Sequence, residues 1–144
     1  MSDLELDDDR FCFACGVNNP DGLRVGFEYP EKGRCRAELV MPAKFQGWKG
    51  ILHGGIISTL LDEAFAHACG GPQRGGDEAV VTAEIRVKFI KPVRTGEKFV
   101  LEGRVVEVRG RVIACASVIK DPEGTELARA EGRLIRLKRA RQKT

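Results

Sequence analysis

Apolar and polar positions follow two different periods along this chain, and the change of period locates the middle of the fold. Before residue 40, Cys35, Ala37 and Leu39 alternate with Arg34, Arg36 and Glu38, the two-residue repeat of a half-buried strand. Next, Ile56, Ile57, Leu60, Leu61, Ala64, Phe65, Ala68 and Cys69 recur at i, i+1, i+4, i+5. That spacing predicts a helix with one buried face. The short period then returns, with Val81, Ala83, Ile85, Val87 and Phe89 set against Thr82, Glu84, Arg86 and Lys88. Further strands are predicted over 99–108 and 111–120, joined near Gly110, and over 125–137 after the turn Asp121, Pro122, Glu123, Gly124. Gly70, Gly71, Pro72, Gly75 and Gly76 read as the loop after the helix. The order strand, strand, helix, then about four antiparallel strands predicts an α+β fold with a curved sheet wrapped around one helix.

Composition adds boundaries to this picture. A chain of 144 residues, 42% apolar and 31% charged, suits one soluble domain. There is no run of eighteen apolar residues, and the acidic start MSDLELDDDR lacks the basic and apolar regions of a signal peptide, so a cytoplasmic protein without a membrane span is expected. Five cysteines in such a chain predict free thiols and not a disulfide framework. The net charge of +3 is unevenly placed, with acids at residues 1–10 and Arg133, Arg136, Lys138, Arg139, Arg141 and Lys143 towards the end. We read 1–10 as an acidic flexible start, 11–137 as the domain and 138–144 as a solvated basic tail. Dispersed cations without interleaved aromatics do not make a nucleic-acid interface, and none is expected.

The chemistry concentrates at the helix start, in HGGIISTLLDEA over residues 53–64. Gly54 and Gly55 let a ligand approach backbone N–H groups that have no intrahelical acceptor and carry the positive end of the helix dipole. Such groups polarise a carbonyl. Asp62 lies on the face opposite the apolar stripe, with Ser58, Thr59, Glu63 and Ala66. At 1.5 Å per residue, the Gly54 amide and Asp62 stand roughly 12 Å apart on one helix, too far to meet at one carbonyl. A reaction that uses both requires two antiparallel copies of the helix, hence a two-fold homodimer with paired sites.

His-Gly-Gly with an aspartate nine residues after the histidine resembles the hot-dog-fold acyl-CoA thioesterases of the phenylacetic-acid-degradation and human thioesterase-superfamily-member type. The resemblance continues in order through Phe13, Cys15, Gly16, Asn19, Pro20, Gly22 and Leu23, then FQGWKGILHGG, then VTAEIRVKFIKPV, and covers about residues 11 to 137. It implies hydrolysis of an acyl-CoA thioester without a cofactor, by a homodimer that pairs further into a dimer of dimers. It also implies Asp62 as nucleophile or general base, Gly54 as the N–H donor to the thioester carbonyl across the interface, His53 as a loop-orienting or carbonyl-side residue, and Thr82 as the strand residue that helps place the water or carboxylate. Many relatives carry Asn six residues before the histidine. Here that position is Gly47, with Gln46 beside it as the substitute, and Gly55 completes the substrate-side loop. Lys88, Lys91 and Arg94, on or just past a strand, are the expected holders of a nucleotide's phosphates.

Plainer roles stand beside these. On spacing alone Asp62 reads sooner as a solvated helix carboxylate, His53 is equally a hydrogen-bonder at the helix entrance, and Thr82 is a common strand former. Glu63 is expected to meet a nearby polar contact. Cys12 and Cys15 form CxxC, but no second ligand pair follows and no βαβ context suggests redox work, so no metal site is expected and the motif reads as a turn packed near the active-site loop. The competing functions are a non-catalytic acyl-thioester binding module, disfavoured by an intact Asp62, and a hydratase on the same kind of fold, disfavoured by the interval from histidine to aspartate.

Overall fold

In the computed structural model, which describes residues 6–71 and 78–138, five antiparallel strands, one long helix and a short 3-10 turn at Ala43–Phe45 account for the regular structure. The strands are β1 (Arg34–Val40), β2 (Glu78–Phe89), β3 (Lys98–Arg109), β4 (Val112–Lys120) and β5 (Glu126–Lys138); the helix α1 spans Gly54–Gly70. They order as β1-β3-β4-β5-β2, so β2, which follows the helix in sequence, crosses to the far edge. The helix packs against all five strands, as the sausage of a hot-dog fold does. The expected N- and C-terminal extremes and the Pro72, Gly75 and Gly76 part of the post-helix loop fall wholly or partly outside the described residues.

The helix is held close because the sheet is cut away beneath it. A Cβ on Gly103 of β3 would sit 2.4 Å from the Ala64 carbonyl oxygen, and one on Gly132 of β5 would sit 2.5 Å from the Phe65 ring. Side chains from the sheet then bond to the helix backbone, the Cys35 thiol donating to the Ala64 carbonyl at 3.1 Å and the Ser117 hydroxyl to Leu61 at 2.9 Å. Leu60, Leu61, Ala64 and Phe65 are fully buried, with Leu101, Ile119 and Leu134 among the residues they meet in the core. Burial holds the Cys35 thiol up at about 12, despite the opposing Gly103 hydrogen bond, so it stays protonated.

Among the described residues one strand precedes the helix, where two were expected. The segment before β1 contributes an isolated bridge, Glu28 to Arg36, and sends Leu23 and Val25 into the core without continuous pairing. Arg24, at φ 54°, interrupts the extended backbone, and Pro30 removes a donor.

Candidate active site

Two polar centres lie along the exposed side of α1, and each is set by a different neighbour. At the N-terminus, His53 occupies the cap position with extended dihedrals, φ −60° and ψ 135°. Its Nδ1 accepts the Gly55 N–H at 2.8 Å, and its carbonyl accepts from Ile56 and Ile57. The proton on the imidazole therefore belongs to Nε2. Gly55's amide is thereby spent on the cap, whereas no acceptor among the described residues lies against Gly54 N–H. Gly54 opens onto a groove of about 810 Å³ lined by Trp48, Ile51, Leu52, His53, Ile57, Phe89, Ile90, Lys91 and Val93, among others. A polar donor at the end of an apolar cleft is what binding an acyl carbonyl requires.

The second centre is Asp62, two turns along the helix. Thr82 of β2 donates its hydroxyl to Asp62 Oδ1 at 2.6 Å. The carboxylate is half-buried, and burial raises its pKa above the ordinary value; the Thr82 hydrogen bond opposes the rise, and the charge of Glu63 adds to it. Asp62 does not line the groove that holds Gly54 in the same chain.

Glu63 faces a different set of groups. His67 Nε2 lies 3.0 Å from Glu63 Oε1, and Tyr29 Oη lies 2.7 Å from His67 Nδ1. The Phe27 ring stacks on the imidazole at 4.2 Å. With the proton on Nε2, His67 donates to the carboxylate and accepts from the phenol. The i,i+4 spacing of Glu63 and His67 was a legible signal for this contact. The burial of His67, 5% exposed, was not.

The family model of the thioesterase superfamily matches residues 49–128, which run from the loop before α1 into β5. The chain belongs to the thioesterase superfamily. This thioesterase is 29% identical over 104 residues to mouse acyl-coenzyme A thioesterase 13, with 72% of this chain and 71% of that one aligned. It is 33% identical over 102 residues to a Saccharolobus solfataricus protein named as an esterase, over 71% of each. Among solved structures, a thioesterase superfamily protein aligns with a TM-score of 0.76 at 28% identity, covering 88% of this chain and 60% of that one. The Escherichia coli PaaI protein of the phenylacetic acid degradation operon shares the fold, with a TM-score of 0.69 at 20% identity over 78% of both chains.

The remaining residues expected at the site of this thioesterase are spread more widely. Gln46 accepts the Gly50 N–H through Oε1 at 3.0 Å and so closes the loop before the helix. A Cβ on Gly47 would stand 3.4 Å from His53 Cα, so a larger side chain at this position would press on the capping histidine. Lys91 lines the apolar groove. Lys88 lies on β2 beside Arg86, Arg129 and Glu131, and Arg94 borders a separate hollow with Glu97 and Asp121. The three cations thus occupy three different surfaces. Trp48, 84% exposed at the groove, carries no signature that distinguishes it in sequence from a core aromatic.

Proposed function

We propose that this thioesterase hydrolyses acyl-CoA, with an aromatic or short-to-medium acyl group, in a cytoplasmic homodimer whose two chains share each site. The acyl group lies in the groove, its carbonyl accepts the Gly54 N–H, and Asp62 of the other chain attacks the carbon or activates water for the attack. The observation that carries this reading is the division of labour on α1: an unpartnered amide in an apolar groove, and a half-buried aspartate held by Thr82 outside it. The name of the mouse relative supports the substrate class.

The sheet edge supports the dimer. β2 is an edge strand of twelve residues, and Ile85, Phe89 and Ile90 are exposed on or beside it. A long apolar edge left in water invites pairing with another chain. A second β2 laid against it brings Thr82 and Asp62 of one chain towards the helix start of the other, and further pairing makes the dimer of dimers. Lys91, at the groove, is the favoured contact for a CoA phosphate, with Lys88 and Arg94 reaching only the outer part of a long nucleotide.

Thiol release from a panel of short, medium, long and aromatic acyl-CoAs tests the reaction. Saturable binding without release from any ester would replace the enzyme by a binding module. Mixing tests the shared site. Gly54→Pro removes the N–H while keeping the helix, because proline suits the first helical position and His53 already has the extended dihedrals that a following proline demands. Gly54→Pro and Asp62→Ala are each expected to be inactive. After co-refolding in equal amounts, half the dimers are mixed and carry one intact site of two, so about one quarter of wild-type activity returns. No recovery, with mixed dimers demonstrated by mass, would confine the site to one chain.

A further inference from the structure

The CxxC turn and the second carboxylate of α1, distant in sequence, meet in space. Cys12 Sγ, Cys15 Sγ and a Glu63 carboxylate oxygen all lie within 4.8 Å of one another, with Cys12 exposed at the surface and Cys15 and Glu63 half-buried. We propose that these three groups hold one divalent cation of the zinc class, which fastens the N-terminal loop to the catalytic helix.

The donor set argues for the metal. Two thiolates favour a borderline-soft ion over magnesium or calcium, and a carboxylate is an accepted third ligand. A tetrahedral shell with bonds of about 2.0–2.3 Å separates its donors by roughly 3.5–3.8 Å, so the cluster closes by side-chain rotation of about an ångström. The exposure of Cys12 leaves the fourth position to water.

The backbone brings the donors together independently of any ion. Gly16 N–H donates to the Cys12 carbonyl at 2.9 Å, and a Cβ at Gly16 would fall 2.3 Å from Cys12 N, so the curl that carries both cysteines closes only around glycine. Ala14, between them, is 3% exposed, and Phe13 and Ala14 carbonyls accept from Leu23 and Val25. The carboxylate is equally fixed. His67 holds Glu63 and Tyr29 holds His67, which is the outer layer of hydrogen bonds that orients a metal-binding carboxylate. Both ring nitrogens of His67 are engaged in that layer, so the protein ligands among the described residues are three. Asp62, one residue earlier and about 100° around the helix, faces Thr82 instead, and the cation site is separate from the thioester site.

Cobalt substitution tests this in the full-length protein, without recourse to activity. The reduced protein is stripped with a chelator and titrated with Co²⁺. One equivalent is expected to give a thiolate-to-cobalt charge-transfer band with the visible bands of tetrahedral cobalt, and Zn²⁺ should abolish both. Cys12→Ser and Cys15→Ser should each lose the charge-transfer intensity of one thiolate, and Glu63→Gln should weaken Zn²⁺ binding by roughly 10–100-fold. Zn²⁺ at one hundred times its Kd should raise Tm by roughly 5–10 °C. Absence of the band in wild type overturns the proposal even if the variants fail to fold. So does a band that persists unchanged in both serine variants, which would move the ion to other cysteines.

Discussion

Asp62 and Glu63 are neighbours in sequence, on one helix, with the same functional group, yet the fold treats them as opposites. Asp62 looks across to β2 and receives a neutral donor, Thr82. Glu63 looks towards the N-terminal loop and receives a buried imidazole that a phenol holds in turn. A carboxylate with a neutral hydrogen bond and partial desolvation keeps a high-energy charge available for chemistry; one held by an imidazole that is itself held is fixed in position. The comparison teaches that the turn of a helix, about 100° per residue, suffices to give two adjacent carboxylates different surroundings, so that the one proposed to react is kept apart from the one proposed to hold a cation.

Exchanging the two roles should fail by the largest margin. Asp62→Ala is expected to lose at least ~10²-fold in kcat, and an Asp62→Glu/Glu63→Asp double variant, which preserves charge and composition, should not recover it. Recovery of wild-type turnover by the double variant would mean that the two positions are interchangeable. Thr82→Val sharpens the contrast at about a tenfold loss in kcat/KM. Because the Thr82 hydroxyl holds Asp62's pKa down, its removal should also move the acid limb of the pH–rate profile to higher pH; an unmoved limb would separate Thr82 from the reacting carboxylate.

The smallest effect is on stability. Asp62's pKa in the folded chain lies above its ordinary 3.8, so its contribution is most favourable below that value and is lost as pH rises through the raised folded value. Asp62→Asn removes the titration. Its stability relative to wild type should climb as pH rises from below Asp62's ordinary 3.8, as followed by urea denaturation. A flat difference would mean that burial does not disfavour this charge.

Much of this arrangement was legible in the order of the residues. The apolar stripe from Ile56 to Cys69 placed the helix, and its buried face includes Ile57, Leu60, Leu61, Ala64, Phe65 and Ala68. The turn at Asp121 is built as expected, its carboxylate accepting from Glu123 and Thr125 before Gly124 at φ 89°. Strand order was not legible, because β2 pairs with β5 across the whole intervening hairpin and no local signal records such a partner. Nor was the near-continuous exposure of β2 from Ala83 to Arg86, where Ile85 keeps the alternation of a covered strand but lies at an open edge. Within the proposed site, Asp62, Gly54 and His53 came from the family resemblance. The surroundings of Glu63 escaped because Cys12, Tyr29 and His67 come from three separate stretches of chain, and only tertiary packing collects them.

Gly103 and Gly132 carry a consequence for anyone mapping this enzyme by saturation mutagenesis. Neither touches the groove, but every side chain added at either collides with the Ala64 carbonyl or the Phe65 ring. In a screen scored by turnover alone, both positions would rank beside Asp62 as intolerant and pass for chemistry. Scoring cellular abundance in parallel would part them, since alanine at either glycine should deplete the protein itself while Asp62→Asn leaves it plentiful and silent.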